Sequence, residues 1–465
     1  MRLWMLKKQV SHQINSILMK IHIKPLIIMS CCILAATDAN AGKSLVSSHT
    51  DSVINTIKVF NIDGGEPGIS NLGNRSDLTP RQDSIRSLVE AFYYDQFRHM
   101  QDPEAPTFLF MSKKSNLLMG IGGVVRMRGW YDWGGAIPGN GFMPYLIPIP
   151  ENPASMRKFG TTPAGTALFL QLVGRSGMGT YRLYVEANFN GYQGRGLHLK
   201  KAYVTLDDLT VGYANSTFSD PAAMAPTVDA QGATNKLAKT DVLIRYMPTF
   251  RRHWSIGVSL ENPSTQIDVA DGLTAKTSEW LPDLAACVQY QWGEGEHVRL
   301  SGIVRNLGYR DLIEQRNHNE AGWAVQLSSV AHPLPPVTTY LTFNYGHGYG
   351  GLTNDLLAGK YDMIANPEVP GQLYAPRSFG YCIGVQYNFT HALFTSVSFS
   401  QTHLLPRYAV EPTEYRYGWC AAINVFWNVL PRLQLAAEFD LGRRMNADGS
   451  NRYAKRIGAV CQFSF

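Results

Sequence analysis

From residue 113 to the C-terminus the chain alternates apolar and polar residues one for one, and this period-two pattern constrains the fold more than any other feature. In the segment 433–441, Leu433, Leu435, Ala437, Phe439 and Leu441 point one way, and Gln434, Glu438 and Asp440 the other. The segment 181–189 repeats the division, with Leu183, Val185 and Phe189 against Arg182, Glu186 and Asn188. No run reaches the roughly 18 apolar residues that a spanning helix needs. A chain of this pattern that crosses a membrane therefore crosses as a closed barrel, because only helices and closed barrels satisfy their backbone groups in lipid. Charged residues make up 17% of the chain, below the usual quarter, beside 42 Gly and 23 Tyr. That mix suits many strands and turns with aromatic anchors.

The spacing predicts sixteen strands, near 117–131, 164–174, 180–191, 196–206, 209–215, 240–247, 252–262, 283–292, 296–306, 319–330, 336–346, 378–389, 393–403, 414–427, 431–442 and 453–465. The number is even, as in single-chain outer-membrane barrels. Odd connections are long or polar (132–163, 216–239, 263–282, 347–377, 443–452), apart from the short 192–195. Even connections are tight, as at Asp207-Asp208 and Gly293-Glu294-Gly295. Aromatic residues gather at both ends of the strands. Tyr246, Trp254, Tyr290, Trp292, Phe389, Phe394, Phe426 and Trp427 fall beside the tight turns; Trp130, Tyr131, Trp323, Tyr345, Tyr381, Tyr415 and Tyr453 fall at the other end. Two such belts fit the two interfaces of a bilayer. The expected class is an all-β transmembrane antiparallel barrel with an N-terminal periplasmic helical extension, placed in the bacterial outer membrane against lipid and lipopolysaccharide.

Three regions follow along the chain. Residues 1–41 read as an export signal, with Lys20 and Lys24, an apolar core at 26–29 and 31–34, and a cleavage site at Ala39-Asn40-Ala41; Met19 is an alternative start. A short anchoring helix, or a lipoprotein signal ending at Cys31 or Cys32, are the other readings. Residues 42–112 form a linker and a helix over about 80–100. Within the linker, the apolar patch from Val53 to Ile62 reads as a strand or a docking peptide. The helix opens on a capping box at Thr79 and Gln82 with Pro80 at its first position. Its apolar stripe needs the barrel's rim or copies of itself. Residues 113–465 are the barrel. Without residues 1–41 the chain loses Arg2, Lys7, Lys8, Lys20, Lys24 and Asp38, so its net charge falls from +6 to +2, which excludes nucleic acid as a partner.

Strand parity sets Arg126, Arg128, Arg182, Arg245, Arg299, Arg305, Arg416 and Arg456 on the polar face, with Glu186, Glu261, Glu438 and Asp440. Lys200 and Lys201 are adjacent, so one faces lipid unless a bulge intervenes; Lys200 is the one expected inside. Basic side chains outnumber acidic ones there, an arrangement that concentrates anions; bracing ion pairs are the plainer use of the same residues. The third outer connection, 216–239, carries Asp220, Pro221 and Asp229 and is the candidate constriction loop; its plainer role is to cover the mouth. No nucleotide loop, zinc spacing, calcium loop or catalytic set emerges, so no enzyme, metal or cofactor is expected. Cys287, Cys382, Cys420 and Cys461 read as small strand residues. The last strand ends on Phe465, a terminal aromatic of the kind read by the outer-membrane assembly machinery.

An ordered series of motifs resembles the DcaP-like family of outer-membrane porins: Glu186-Ala187-Asn188-Phe189, then Lys200-Lys201-Ala202-Tyr203-Val204, then Gly212 through Asn215-Ser216-Thr217-Phe218-Ser219-Asp220. Asn188 stands where an acid is common, and the lysine pair where arginine is common. The resemblance covers about residues 113–465. It implies sixteen strands, a homotrimer, a periplasmic helical segment, and passage of small anions such as dicarboxylates past a basic wall that includes Arg182, Lys200 and Arg245. The reading that results is a passive diffusion porin. The alternative is a binding or adhesion barrel acting through its outer loops 132–163 and 347–377, where Trp133 and Tyr361 sit.

Overall fold

Each alternating segment has one face fit for lipid and one fit for water, and such segments leave no unpaired edge only if the last strand meets the first. The computed structural model describes residues 58–61, 108–112 and 117–465, apart from 191–195, 238, 252, 270–271, 294 and 431. In it the chain closes into a sixteen-stranded antiparallel barrel. The strands are β1 Leu117–Trp133, β2 Ala167–Ser176, β3 Gly179–Asn188, β4 His198–Leu206, β5 Leu209–Asn215, β6 Thr240–Tyr246, β7 Trp254–Glu261 and β8 Asp283–Gln291. They continue as β9 His297–Asp311, β10 Arg316–Leu334, β11 Val337–His347, β12 Arg377–Asn388, β13 Leu393–Leu405, β14 Tyr415–Leu430, β15 Leu433–Asn446 and β16 Asn451–Ser464. Every expected strand is present. The export signal and the helix over 80–100 lie outside the described residues.

Closure is made by β16 on β1, where Arg456 stands opposite Asp132 and Gln462 opposite Arg126. The last residue belongs to the ladder: Phe465 donates to Gly123 O and accepts from Gly123 N, both at 3.0 Å. Beyond that rung, Phe108–Ser112 pairs antiparallel with the start of β1, and Lys58–Asn61 pairs parallel with Phe108–Ser112. The apolar patch of the linker therefore supplies a strand at the foot of the barrel. The expected loop 132–163 is shorter than its sequence suggests. Arg157–Thr162 pairs with the outer half of β1, and the break before β2 falls where Pro163 has no N–H to give and Gly165 has φ +92°.

β7 shows how the faces divide. Ser255, Gly257, Ser259 and Glu261 are buried inside; Trp254, Ile256, Val258 and Leu260 are exposed outside. An apolar outer face and a polar inner one is the pattern of a barrel in lipid. At the tight-turn end, Trp254 lies 4.9 Å from Tyr290, and Tyr290 lies 6.0 Å from Trp292, centroid to centroid. Four of the expected belt residues are not on the belt. Phe394 and Phe426 stack inside at 4.8 Å and pack with Val228, and Trp130 and Tyr415 are buried inside as well. Aromatic residues near strand ends serve the lumen side too when an inward loop gives them something to cover.

The connections also differ from the expectation in two places. The fifth and eighth outer loops are only 312–315 and 447–450, because β9, β10, β15 and β16 run on beyond the membrane-length segment. The remaining long loops are 134–156, 216–239, 262–282 and 348–376.

Candidate pore and its constriction

The third outer loop, 216–239, lies inside the barrel and is held there along its whole length. At its start, Thr217 N–H donates to Glu261 Oε1 (2.8 Å), and Arg299 Nη2 donates to Thr217 O (2.6 Å). Asp220 then accepts from His297 Nε2 (2.9 Å) and from the Ser328 hydroxyl (2.5 Å). Asp220 is fully buried, which pushes its pKa up, yet His297, Arg299 and Ser328 together hold it well below the usual carboxylate range. Pro221 opens a short 3-10 turn, which buries Ala223 against Val330 and Tyr340. At the far wall, Pro226 O accepts from Ser396 and Asn424, and the N–H groups of Val228 and Asp229 both donate to Glu438, at 2.8 and 2.6 Å. The return limb is fixed by Thr234 N–H donating to Ser400 Oγ, Asn235 Nδ2 donating to Thr342 Oγ1, and Asn344 Nδ2 donating to Asn235 O. Backbone donors and acceptors of a loop need partners once water is excluded, and the polar inner face supplies them.

Four of the arginines expected on the pore wall point inward but stand behind the loops. Arg245, Arg299, Arg305 and Arg456 are between 1% and 4% exposed. Arg245 donates to Asn215 O, and Arg305 bridges Asp283 and Asp362 while also holding Gly348 O and Ser264 O. Arg456 makes a bidentate pair with Asp132 (2.6 and 3.0 Å) and reaches Asp229 (3.1 Å) and Asn140 O (3.1 Å). Parity fixes which face a side chain takes; it says nothing of what covers that face. Arg128 is nearly buried too, and its Nη2 donates to Ala164 O. Glu438 and Asp440 sit under the tip of the third loop, 3% and 2% exposed. Arg416 is not on the inner face: it is exposed beside a bulge at the outer end of β14, where Tyr415 pairs with Asn446 and Tyr417 with Met445.

What the loops leave accessible is the inner face of β1 to β4. Arg126, Arg182, Lys200 and Lys201 are half-buried there, around Glu186. The lysine pair is resolved by a bulge. Glu186 pairs with Lys201 and Ala187 with Leu199, so Lys200 is the extra residue and both ammonium groups turn inward. Lys200 Nζ lies 2.6 Å and Lys201 Nζ 3.9 Å from the Glu186 carboxylate, and Tyr184 O–H donates to it at 3.1 Å. Arg126 donates to Gln462 (2.9 Å). Phe169, Tyr184 and Tyr203 run across the same wall, with ring centroids 6.2 and 5.4 Å apart. From the loop side, Lys236 faces this wall. Burial, with Lys200 and Arg128 nearby, pushes its ammonium below the usual lysine value, against the pull of Asp229. Lys201 was the one expected to face lipid, and Lys236 and the role of the three aromatic rings were not singled out in the sequence. The parity of 169, 184 and 203 was the available signal for the rings; Lys236 had none, because a loop has no period.

The sixth loop, 348–376, closes over the third. The helical turn Asn354–Ala358 donates its first N–H groups to Lys236 O and Thr234 O, at 3.1 and 3.2 Å. Asp355, fully buried, accepts from Tyr415 O–H (2.8 Å), near Tyr145, Tyr361 and Arg444. Burial pushes its pKa up to about 7, against the Tyr415 hydroxyl, the Tyr145 N–H and the Arg444 charge. An unfolded aspartate titrates near 3.9. Stability from this contact is therefore complete below about pH 4 and is lost as pH rises through about 7. Amide exchange of 353–358 is expected to be faster at pH 8.5 than at pH 5.5, after correction for intrinsic rates, and D355N to remove the difference. An unchanged pH dependence in D355N would refute the assignment.

The porin subfamily matches residues 166–452, more than half of the chain. No curated protein matches it. Among solved structures, the outer-membrane channel DcaP of Acinetobacter baumannii superposes with a TM-score of 0.67 at 19% identity, over 77% of this chain and 99% of that one. The anion-selective porin of Comamonas acidovorans gives 0.49 at 9% identity, over 75% and 100%. The likeness to DcaP shows a shared fold, in keeping with the resemblance seen in the motifs. With its closed barrel, its inward third loop and the match along 166–452, the chain belongs to the porin subfamily as an outer-membrane channel protein.

Proposed function

We propose that the protein is a passive diffusion porin that prefers small anions, dicarboxylates among them. The observation that carries this reading is the uncovered arc of β1 to β4. There Arg126, Arg182, Lys200 and Lys201, with Lys236 opposite, stand against Glu186, with Asp229 beside Lys236. Fixed positive charge in a narrow, partly desolvated path raises the local anion concentration. The third loop sets the width of that path. The resemblance to DcaP-like channels supports a homotrimer, and the terminal rung at Phe465 suits recognition by the assembly machinery during insertion. The apolar outer face rests against lipid and lipopolysaccharide. The adhesion alternative loses its main support, because the first and sixth loops fold inward: Phe142, Ile147, Leu356 and Tyr361 are buried.

Planar-bilayer recording of the refolded protein in a salt gradient tests the proposal. Conductance in steps of three, with a reversal potential on the anion side, is the expected result. Cation preference would overturn the basic-wall reading; folded protein without conductance would overturn the porin.

A further inference from the structure

Where the barrel closes, three cations gather on its lipid-facing side without an acid among them. Lys455 on β16 stands opposite Trp133 on β1, and Trp133 stands opposite Arg157 in the short strand Arg157–Thr162. Arg443 on β15 stands opposite Tyr453, diagonally across from Lys455. Residues opposite one another in an antiparallel pair share a face. All three cations therefore leave the wall on the side of the exposed Tyr131 and Ile457. Strands lie about 4.8 Å apart and diagonal neighbours roughly 7–8 Å, so Arg157 and Arg443 both fall within about 10 Å of Lys455. Like charges at such spacing repel. Among the described residues no carboxylate forms an ion pair with any of the three. Arg443 Nε donates to Asn451 Oδ1 at 3.2 Å, and its guanidinium lies 5.3 Å over the Tyr453 ring.

The same face is graded with depth. At the level of the cations it is aromatic: Trp133 lies 6.0 Å from Phe439 and Trp419 6.0 Å from Tyr453, centroid to centroid. Toward the tight-turn end it becomes aliphatic, with Val125 and Met127 on β1 and Ile457 on β16 half-exposed. A soluble anion uses the cations alone. A ligand with a phosphorylated sugar head and acyl chains uses every level of the gradient, and the long-loop end sets that head in the outer leaflet.

We propose that this seam binds one phosphorylated glycolipid of the outer leaflet, with Arg157, Arg443 and Lys455 around a headgroup phosphate, Trp133 and Tyr453 against the sugar, and the acyl chains along Met127 and Ile457. Guanidinium forks match phosphate oxygens, and the ammonium adds a third charge. The negative charge of the ligand removes the repulsion among the three. Because β15, β16 and β1 all contribute, the bound lipid also ties the two ends of the barrel across its closing seam. The inference rests on the outer-membrane placement of the channel and is independent of its solute preference, which belongs to the inner face.

The protein, refolded in detergent without lipopolysaccharide and checked for conductance, is incubated with lipid A, the phosphorylated anchor of lipopolysaccharide, and followed by native mass spectrometry and thermal unfolding. The expected result is one lipid A retained per chain and a raised Tm. The double variant R443Q, K455Q is expected to bind more than about tenfold more weakly and to lose the gain in Tm. R157Q, a change outside the sixteen barrel strands, is expected to weaken binding by a smaller factor. R310Q is the matched control: Arg310 carries the same charge at the same end of the barrel on β9, halfway round from the seam and bonded to Asn317, and its loss is expected to leave binding unchanged. Conducting protein that retains no lipid A overturns the proposal while leaving the channel standing. So does equal retention of dephosphorylated lipid A, an equal loss in R310Q, or saturation by inorganic phosphate at the same concentration as lipid A, which would mark a free-anion site. A double variant that loses subunit association but keeps lipid A would show that a second copy of the chain, not a lipid, covers the seam.

Discussion

Changing Lys200, Lys201 and Lys236 together to glutamine is expected to move the reversal potential far toward the cation side, with Arg126 and Arg182 alone left against Glu186. All three ammonium groups border the arc that the loops leave open, and two of them screen Glu186. A unit charge about 7 Å from a passing ion in a water-filled path is worth about 0.6 kcal/mol, close to RT, or roughly threefold in local anion concentration. Three such charges amount to more than tenfold before salt screening, which is weaker in a narrow path than on an open surface. The same substitutions leave Glu186 as an unscreened negative charge at the wall, so the change exceeds the loss of the cations alone. R299Q is the matched control. Arg299 is as basic but is 1% exposed behind the third loop, so it is expected to lower stability and leave selectivity alone. A triple variant whose reversal potential does not move would refute the basic wall as the filter, and an equal shift in R299Q would show that the field of the whole barrel, not the open arc, sets the preference.

The barrel was legible because its signal is local and repeated. Period two, turn residues and an alternating last strand are each read within a dozen residues, and sixteen repetitions make the sum unambiguous. Strand ends were less legible where β9, β10, β15 and β16 continue past the membrane, since polar residues there look like loop. The interior was legible only as a face. Parity put Arg245, Arg299, Arg305 and Arg456 inside, but whether an inward arginine meets water or a loop carbonyl depends on how a distant segment folds back. The bulge at Lys200 is a similar case. The adjacent pair announced that a bulge was needed for both to face inward, and the register with Glu186 then decided it. Asp355 and Lys236 carried no sequence signal, because their environment comes from the meeting of the first, third and sixth loops.

Releasing the third loop at both anchors should open the channel far more than releasing either one. Asp220 is gripped at one end by His297 and Ser328; Glu438 takes two backbone N–H groups of the loop tip at the other. Both anchors are buried: removing one partner of the Asp220–His297 pair costs about 3–5 kcal/mol, and leaving the two loop N–H groups without Glu438 costs about 1–3 kcal/mol each. With one anchor gone, the loop remains tied by the other and by Ser396, Asn424, Ser400 and Thr342, so D220A and E438A are each expected to conduct near the wild-type level with added noise. In the double variant the Arg456–Asp229 pair and the Glu261 and Arg299 contacts to Thr217 remain, but between them the loop keeps only neutral hydrogen bonds worth about 1 kcal/mol each, and water entering the gap competes with these directly. The middle of the loop then leaves the wall for much of the time. Single-channel conductance is expected to rise several-fold, and selectivity to fall, because ions no longer pass within reach of the β1 to β4 wall. Coupling of this kind between sites on opposite walls is itself diagnostic, since independent substitutions that far apart would simply add. A double variant with quiet, wild-type conductance would mean that the path does not run past this loop.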